Sequence, residues 1–149
     1  MSAFQIGGET VLVDDEDDDL LVGARWYLLR TGASIYVNDP RKGLLHRVLL
    51  GAGHGDEIDH RNLNGLDNRR CNLRFATRSQ NCANRPKRSL PTTSRFKGVS
   101  WDPINQKWRA QIQVEYRSRN LGRFEMEAEA AAAYDTAAVE AFGEFARTN

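Results

Sequence analysis

The strict alternation of residues 107–117 limits the fold more than any other stretch of the chain. Trp108, Ala110, Ile112, Val114 and Tyr116 fall on one side, and Lys107, Arg109, Gln111, Gln113, Glu115 and Arg117 on the other. This is the period of a strand with one face in a core and one in water. Residues 96–101 and 118–124 read as shorter flanking strands, with Asn105-Gln106 in one turn and Gly122 interrupting the last strand as a bulge. From Met126 the period becomes helical, with Met126, Ala130, Ala133, Ala137 and Ala141 at steps of three and four. Small alanine side chains let such a helix lie close to a sheet. Residues 94–149 are therefore expected to form a three-stranded antiparallel sheet packed on one helix.

A different order is expected between residues 44 and 85. Residues 44–50 read as a short apolar helix carrying His46-Arg47, ended by the glycines of 51–55. Residues 57–60 then read as a strand, 62–70 as a loop rich in Asn, Asp and Gly, and 72–76 as a second strand with Leu73 and Phe75 on one face. Thr77-Arg78-Ser79-Gln80 has the spacing of a capping box, so a helix should start at Arg78 and stop before Pro86. If the strands form a hairpin and the helix packs across it, Asp59 and His60 can face Asn81.

Residues 1–43 hold β-like pieces at 10–13, 26–29 and 35–37 around six consecutive acids, Asp14 to Asp19. The run lacks the glycine and distal glutamate of a calcium loop, and acids favour the first turn of a helix. Residues 86–93 contain two prolines and no periodic pattern, and read as a linker. The expected class is thus α+β: a β-rich extension (1–43), a ββα module (44–85), a linker (86–93) and a sheet-and-helix domain (94–149).

The charge is organised along the chain. The formal net charge of the 149 residues is only +1, yet residues 1–43 carry four basic and eight acidic side chains, and 44–93 nine and four. Residues 94–124 carry seven and two, and 125–149 one and six. A basic centre between acidic ends is the footprint of a binder of phosphate backbones, although a solvated basic surface would give the same count. Apolar runs are broken by Arg25, His46 and Arg47, so no membrane span is expected. Cys71 and Cys82 form no Cys-x-x-Cys pair, and no basic segment followed by an apolar one opens the chain, which fits a reducing cytoplasm.

Hydrolysis of a phosphodiester needs a base that works near neutral pH and a hard cation that neutralises charge on the phosphate and leaving oxygen. His60 offers the base. Asp59 and Asn81 offer oxygen ligands, which suit Mg²⁺ or Mn²⁺ better than zinc. An Asp-His pair by itself is equally what an ordinary hydrogen-bonding histidine would show. His46 can approach a metal or pack beside Arg47, and His54 sits in a glycine-flanked turn with no assigned role.

The run Leu45-His46-Arg47, Ile58-Asp59-His60, Asn64-Gly65-Leu66-Asp67-Asn68-Arg69-Arg70, Asn72-Leu73-Arg74 and Thr77-Arg78-Ser79-Gln80-Asn81 resembles an HNH endonuclease of the phage homing type. The preceding Leu12 to Asp17 is also similar, and the likeness covers most of residues 10–85. The steps of twelve residues from His60 to Asn72 and nine to Asn81 agree with a ββα-metal arrangement. The resemblance implies that Asp59 and Asn81 are metal ligands, that His60 is the general base, and that Asn72 braces the loop behind it. Where histidine-rich members have a further ligand, this chain has Arg85. That departure implies one Mg²⁺ or Mn²⁺ ion held by oxygen ligands and phosphate, with Arg85 left for the DNA backbone.

Phe96 to Trp101, Lys107 to Ile112, Leu121-Gly122-Arg123-Phe124, Glu129 to Asp135 and Gly143 to Asn149 resemble an AP2 DNA-binding domain covering residues 94–149. Positions that match the groove-facing residues are Lys97, Ser100, Asp102, Gln111, Gln113, Ser118 and Asn120. Plant members carry arginine or tryptophan at several of these, so their target sequence cannot be inherited; Arg109, Arg117 and Arg119 remain for backbone contacts. Together the two resemblances imply a divalent-metal-dependent DNA endonuclease that binds duplex DNA as a monomer and nicks one strand. Such combinations are typical of phage or mobile-element proteins working in a bacterial cytoplasm. The alternative is a non-catalytic DNA-binding regulator on the same scaffold. An RNA-binding or structural metal protein is a third reading, against which stand the lack of a cysteine cluster and of a stacking platform.

Overall fold

The computed structural model describes residues 1–32, 34–87 and 92–149. These residues form two compact units, 1–77 and 78–149. Among them no helix is long and apolar enough to cross a membrane. The mixture of short helices and small antiparallel sheets agrees with the expected α+β class.

In the first unit, β1 (Ser2–Ile6) and β2 (Glu9–Val13) make a hairpin. The acidic run follows as a 3-10 turn, Asp15–Asp17, and the short helix α1 (Asp18–Leu21), so its acids do open a helix. They also hold a basic residue far along the chain. Asp14 Oδ2 accepts from the Arg70 backbone N–H at 2.7 Å, and the buried Asp17 carboxylate accepts from Arg70 Nη2 at 2.7 Å and Nε at 3.0 Å.

A second sheet comprises β3 (Tyr27–Thr31), β4 (Ser34–Asp39) and the two-residue β5 (Gly43–Leu44), followed directly by α2 (Leu45–Leu49). Leu44 therefore belongs to a strand, not to the helix expected from residue 44. A third sheet is the hairpin of β6 (Glu57–His60) and β7 (Leu73–Ala76). Val11, Val13, Leu21, Val37, Leu45, Leu49, Ile58, Leu66 and Leu73 share one core, so the extension and the hairpin bury apolar surface together. Leu73 and Phe75 share one face of β7 as expected, but only Leu73 is buried and Phe75 is 52% exposed.

Leu12 ties β2 to the loop between β6 and β7. Its N–H donates to Leu66 O at 2.9 Å and its carbonyl accepts from Asn68 N at 2.8 Å. Gly65 in this loop passes hard against β4. A Cβ there would lie 2.3 Å from Ile35 O and 2.6 Å from the Tyr36 ring, so any side chain is barred.

The second unit begins with α3 (Arg78–Asn84), starting where the capping spacing places it. Of the expected linker, Arg88, Ser89, Leu90 and Pro91 lie outside the described residues. The sheet has β9 (Lys107–Val114) between β8 (Val99–Asp102) and β10 (Arg117–Phe124). The alternation ends at Val114 instead of running on through Tyr116. Glu115 and Tyr116 form the two-residue hairpin turn with φ of 47° and 65°, and Tyr116 is 73% exposed.

Asn120 pairs with Gln111, but Gly122 pairs with Ala110, so one extra residue, Leu121, is inserted in β10. This bulge changes the phase of the strand: Asn120 and Arg123 lie on the polar face and Phe124 on the face of the core. Helix α4 (Glu127–Phe142) covers the other face. Its buried stripe is Ala130, Ala131, Tyr134, Ala137, Ala138 and Phe142, whereas Met126 and Ala141 of the expected stripe are exposed. The large Tyr134 ring sets this rotation. It lies against Gly98, where a Cβ would come within 2.0 Å of the ring, and Gly98 itself has a φ of 74°.

Candidate functional site

The β6–β7 hairpin carries the candidate chemistry of the first unit. Neighbouring side chains on a strand point to opposite faces, so Asp59 and His60 project on either side of β6. Asp59 stands directly opposite Arg74, and His60 opposite Leu73. All four are buried. Arg74 Nε and Nη2 donate to Asp59 Oδ2 at 2.8 and 2.7 Å.

His60 lies among aromatic rings. The His46 ring stands edge-on to it with 5.0 Å between centroids, and the Tyr36 ring lies 5.9 Å from His60 and 5.6 Å from His46. Burial pushes the His60 imidazole below the ordinary histidine range, while the Asn68 side chain and the carboxylates of Asp59 and Asp67 pull the other way. Burial also pushes His46 down to about 3, helped by the positive charge His60 and Arg47 can carry. Both rings are held in the neutral form that can accept a proton.

The loop beside His60 is locked by side-chain amides. Asn72 Oδ1 accepts from Asn62 N at 3.0 Å, and Asn72 Nδ2 donates to Asn62 Oδ1 at 3.0 Å and to Asp67 O at 2.7 Å. Asp67 accepts from Asn62 Nδ2 and from Arg69 Nε and Nη2, each at 2.7 Å. The Arg69 guanidinium holds the Asp67 carboxyl below its usual range.

The first unit thus brings Asp59, His60 and Asn72 into one hairpin and its loop. Asn81 is the fourth residue of α3, in the second unit. Sequence reasoning missed Tyr36 and Arg74 and left His46 open. The Asp59–Arg74 pairing becomes visible only once the hairpin register is known, and nothing local to residue 36 marks it as a neighbour of residue 60.

A metal ion can be judged against the donors present. Asp59 in the first unit carries a carboxylate and Asn81 in the second an amide, each a hard oxygen donor of the kind Mg²⁺ or Mn²⁺ takes. Among the described residues no group of three His, Cys, Asp or Glu side chains is placed to hold an ion.

The second unit presents the polar face of its sheet. Gln111 and Asn120 are cross-strand partners, as are Gln113 and Ser118, and all four are exposed. Arg109 lies between Ser100 on β8 and Arg123 on β10. The Ser100 Oγ and Arg109 Nε atoms are buried and lack hydrogen-bond partners among the described residues. Arg117 and Arg119 are exposed but stand opposite Val114 and Ile112, so Arg117 is on the other face of the sheet from Gln111 and not on the polar face where the alternation put it; Arg85 beyond α3 is exposed too.

Two sequence-predicted residues have other partners. Lys97 Nζ donates to Ala83 O at 2.5 Å and Arg85 O at 2.7 Å, capping the C-terminal carbonyls of α3, and sits 6.0 Å from the centre of the Tyr134 ring. Asp102 accepts from Arg123 Nε at 2.8 Å and from the Ile104 and Asn105 N–H groups at 3.2 Å, so it shapes the β8–β9 turn. Its charge and hydrogen-bond partners, Arg123 foremost, hold the carboxyl well below the usual range.

No family model matches the chain, and no solved structure does. A protein of Acanthamoeba polyphaga mimivirus named an uncharacterized HNH endonuclease is 33% identical over 131 residues. The match covers 84% of this chain, which spans 66% of that relative's length. Over most of its length, the chain is similar to an HNH endonuclease.

Proposed function

We propose that the protein is a divalent-metal-dependent DNA endonuclease in which residues 44–85 cut and residues 94–149 hold duplex DNA. The observation that carries this reading is His60 itself: a buried imidazole kept neutral, one residue from a buried carboxylate, beside a loop tied down by Asn72. The similarity to the mimivirus protein supports the same class.

Asp59 and Asn81 would hold the ion. When bound, it would neutralise charge on the scissile phosphate and the leaving oxygen. His60 accepts the proton of the attacking water, and the Asn72 bridge to Asn62 and Asp67 keeps the loop at its back from shifting. The cation-binding and proton-accepting groups leave one strand attacked at a time, so the product is a nick, as in homing enzymes. On the sheet, Gln111, Gln113 and Asn120 face base edges, with Ser100 beside Arg109 on the same face, while Arg109, Arg117 at the start of β10 and Arg85 beyond α3 hold phosphates, in the manner of an AP2 domain. Lys97 contributes through α3, whose end it caps.

The buried Asp59–Arg74 pair favours a second reading, since a carboxylate already neutralised is what a non-catalytic, DNA-binding scaffold would retain. Incubation of supercoiled DNA with Mg²⁺, Mn²⁺ or EDTA separates the two. Metal-dependent conversion to the relaxed circle, lost in Asp59→Ala and His60→Ala, is the expected result. Binding without cutting on every substrate tested would leave the regulator.

A further inference from the structure

Asp59 and Arg74 are direct partners across the β6–β7 hairpin, with side chains only 2% and 7% exposed. Both Nε and Nη2 of the guanidinium converge on the same carboxylate oxygen, Oδ2. Withdrawing two charges from water is costly, and apolar residues of similar size often serve a hairpin core as well or better. The pair therefore asks for a reason beyond folding.

Resting on the reading of Asp59 as a ligand, we propose that Arg74 is a positioning residue that stands in for the cation of the nuclease site. It neutralises and aims the Asp59 carboxylate before an ion arrives. By engaging Oδ2 twice, it also bars Asp59 from giving both oxygens to the ion. A dication held by Asp59 would share that carboxylate with the Arg74 guanidinium, and the repulsion between the two cations would weaken its hold. Arg74 thus trades affinity for a carboxylate that is already in place, and leaves the ion dependent on the substrate phosphate to complete its site.

The test uses the full chain, Mn²⁺ as probe, and two readouts besides cutting: Mn²⁺ affinity by calorimetry and thermal unfolding with and without the ion. Arg74→Gln is expected to bind Mn²⁺ about tenfold more tightly or better, because the repulsive charge is gone. Its metal-free form should melt lower, and Mn²⁺ should raise its melting temperature more than it does for wild type. Affinity no higher than wild type would overturn the proposal. Should Arg74→Gln fail to fold, Arg74→Met removes the charge with an apolar chain suited to a buried site; it must bind Mn²⁺ more tightly than wild type, and equal or weaker binding overturns the role. Asp59→Asn keeps the two levels apart. If it leaves Mn²⁺ binding unchanged, Asp59 is no ligand and the nuclease-site reading falls together with this one. If it abolishes binding while Arg74→Gln alters nothing, only the role of Arg74 fails.

Discussion

The His46 ring meets the His60 ring edge-on, 5.0 Å between centroids, inside the first unit. Two imidazoles this close and this buried cannot both charge cheaply, so the packing that orients His60 also keeps it ready to accept a proton. If His60 is the base, His60→Ala should lower the nicking rate at least about a hundredfold while changing DNA affinity by no more than about threefold. Gel-shift and nicking measurements on one preparation decide it. A variant that still nicks at the wild-type rate removes His60 from the chemistry.

The same pair makes stability depend on pH. His46 resists protonation down to about 3 in the folded chain, whereas the unfolded chain takes the proton near 6.5. Between those values the unfolded state binds more protons. The stabilisation is therefore complete above pH 6.5 and is lost as pH falls toward 3, at about 1.4 kcal/mol for each unit of separation. His60 shifts in the same direction and steepens the loss. Urea midpoints from pH 7.5 to 5 should fall, and His46→Phe should flatten the fall. Parallel profiles for wild type and variant would show that His46 does not carry it.

Gly98→Ala tests the packing of the second unit. The added methyl meets the Tyr134 ring at 2.0 Å and Gln111 O at 2.7 Å, and the backbone sits at a φ of 74° that alanine adopts poorly. A loss of about 2–4 kcal/mol is expected in denaturant unfolding. A change below about 0.5 kcal/mol would mean that the sheet and α4 do not pack as described.

Salt dependence distinguishes the arginines of the sheet from Lys97. If Arg109 and Arg117 touch phosphates, replacing both with alanine should reduce the slope of log affinity against log salt by roughly 2. Lys97→Met should leave that slope within about 0.5 and lower the melting temperature instead, because its ammonium caps α3. A Lys97→Met slope that drops by a full phosphate contact would place the ammonium on DNA.

Elements with a local signal were legible in the sequence. The 57–60 strand, the start of α3 at Arg78 and the central strand through Val114 follow from alternation and capping, which act within a few residues. Tyr116 was misplaced because alternation continues into a turn whose two residues need positive φ. The stripe on α4 was rotated because Tyr134 reaches a glycine 36 positions away, and spacing along a helix carries no record of that glycine. Asp59 and His60 could be singled out by residue type, and Asn72 only through the resemblance to a known family. Their surroundings, Tyr36, His46, Asn68 and Arg74, depend on strand register and on Leu12 pinning a distant loop, neither of which is written in any one segment.

Leu121 is the odd residue of β10. Because it shifts the strand by one position, Asn120 and Arg123 are neighbours on the same face although their numbers differ by three. The lettering of that face is thus read out of step with the chain. Deleting Leu121 would leave Asn120 and Gly122 adjacent and still opposite Gln111 and Ala110, so the strand would pair without interruption and every remaining side chain would keep its face, although each later residue would move up by one in the count. Comparison of such sheets between chains, or transplantation of one into another, has to be aligned by the kink and not by the count of residues.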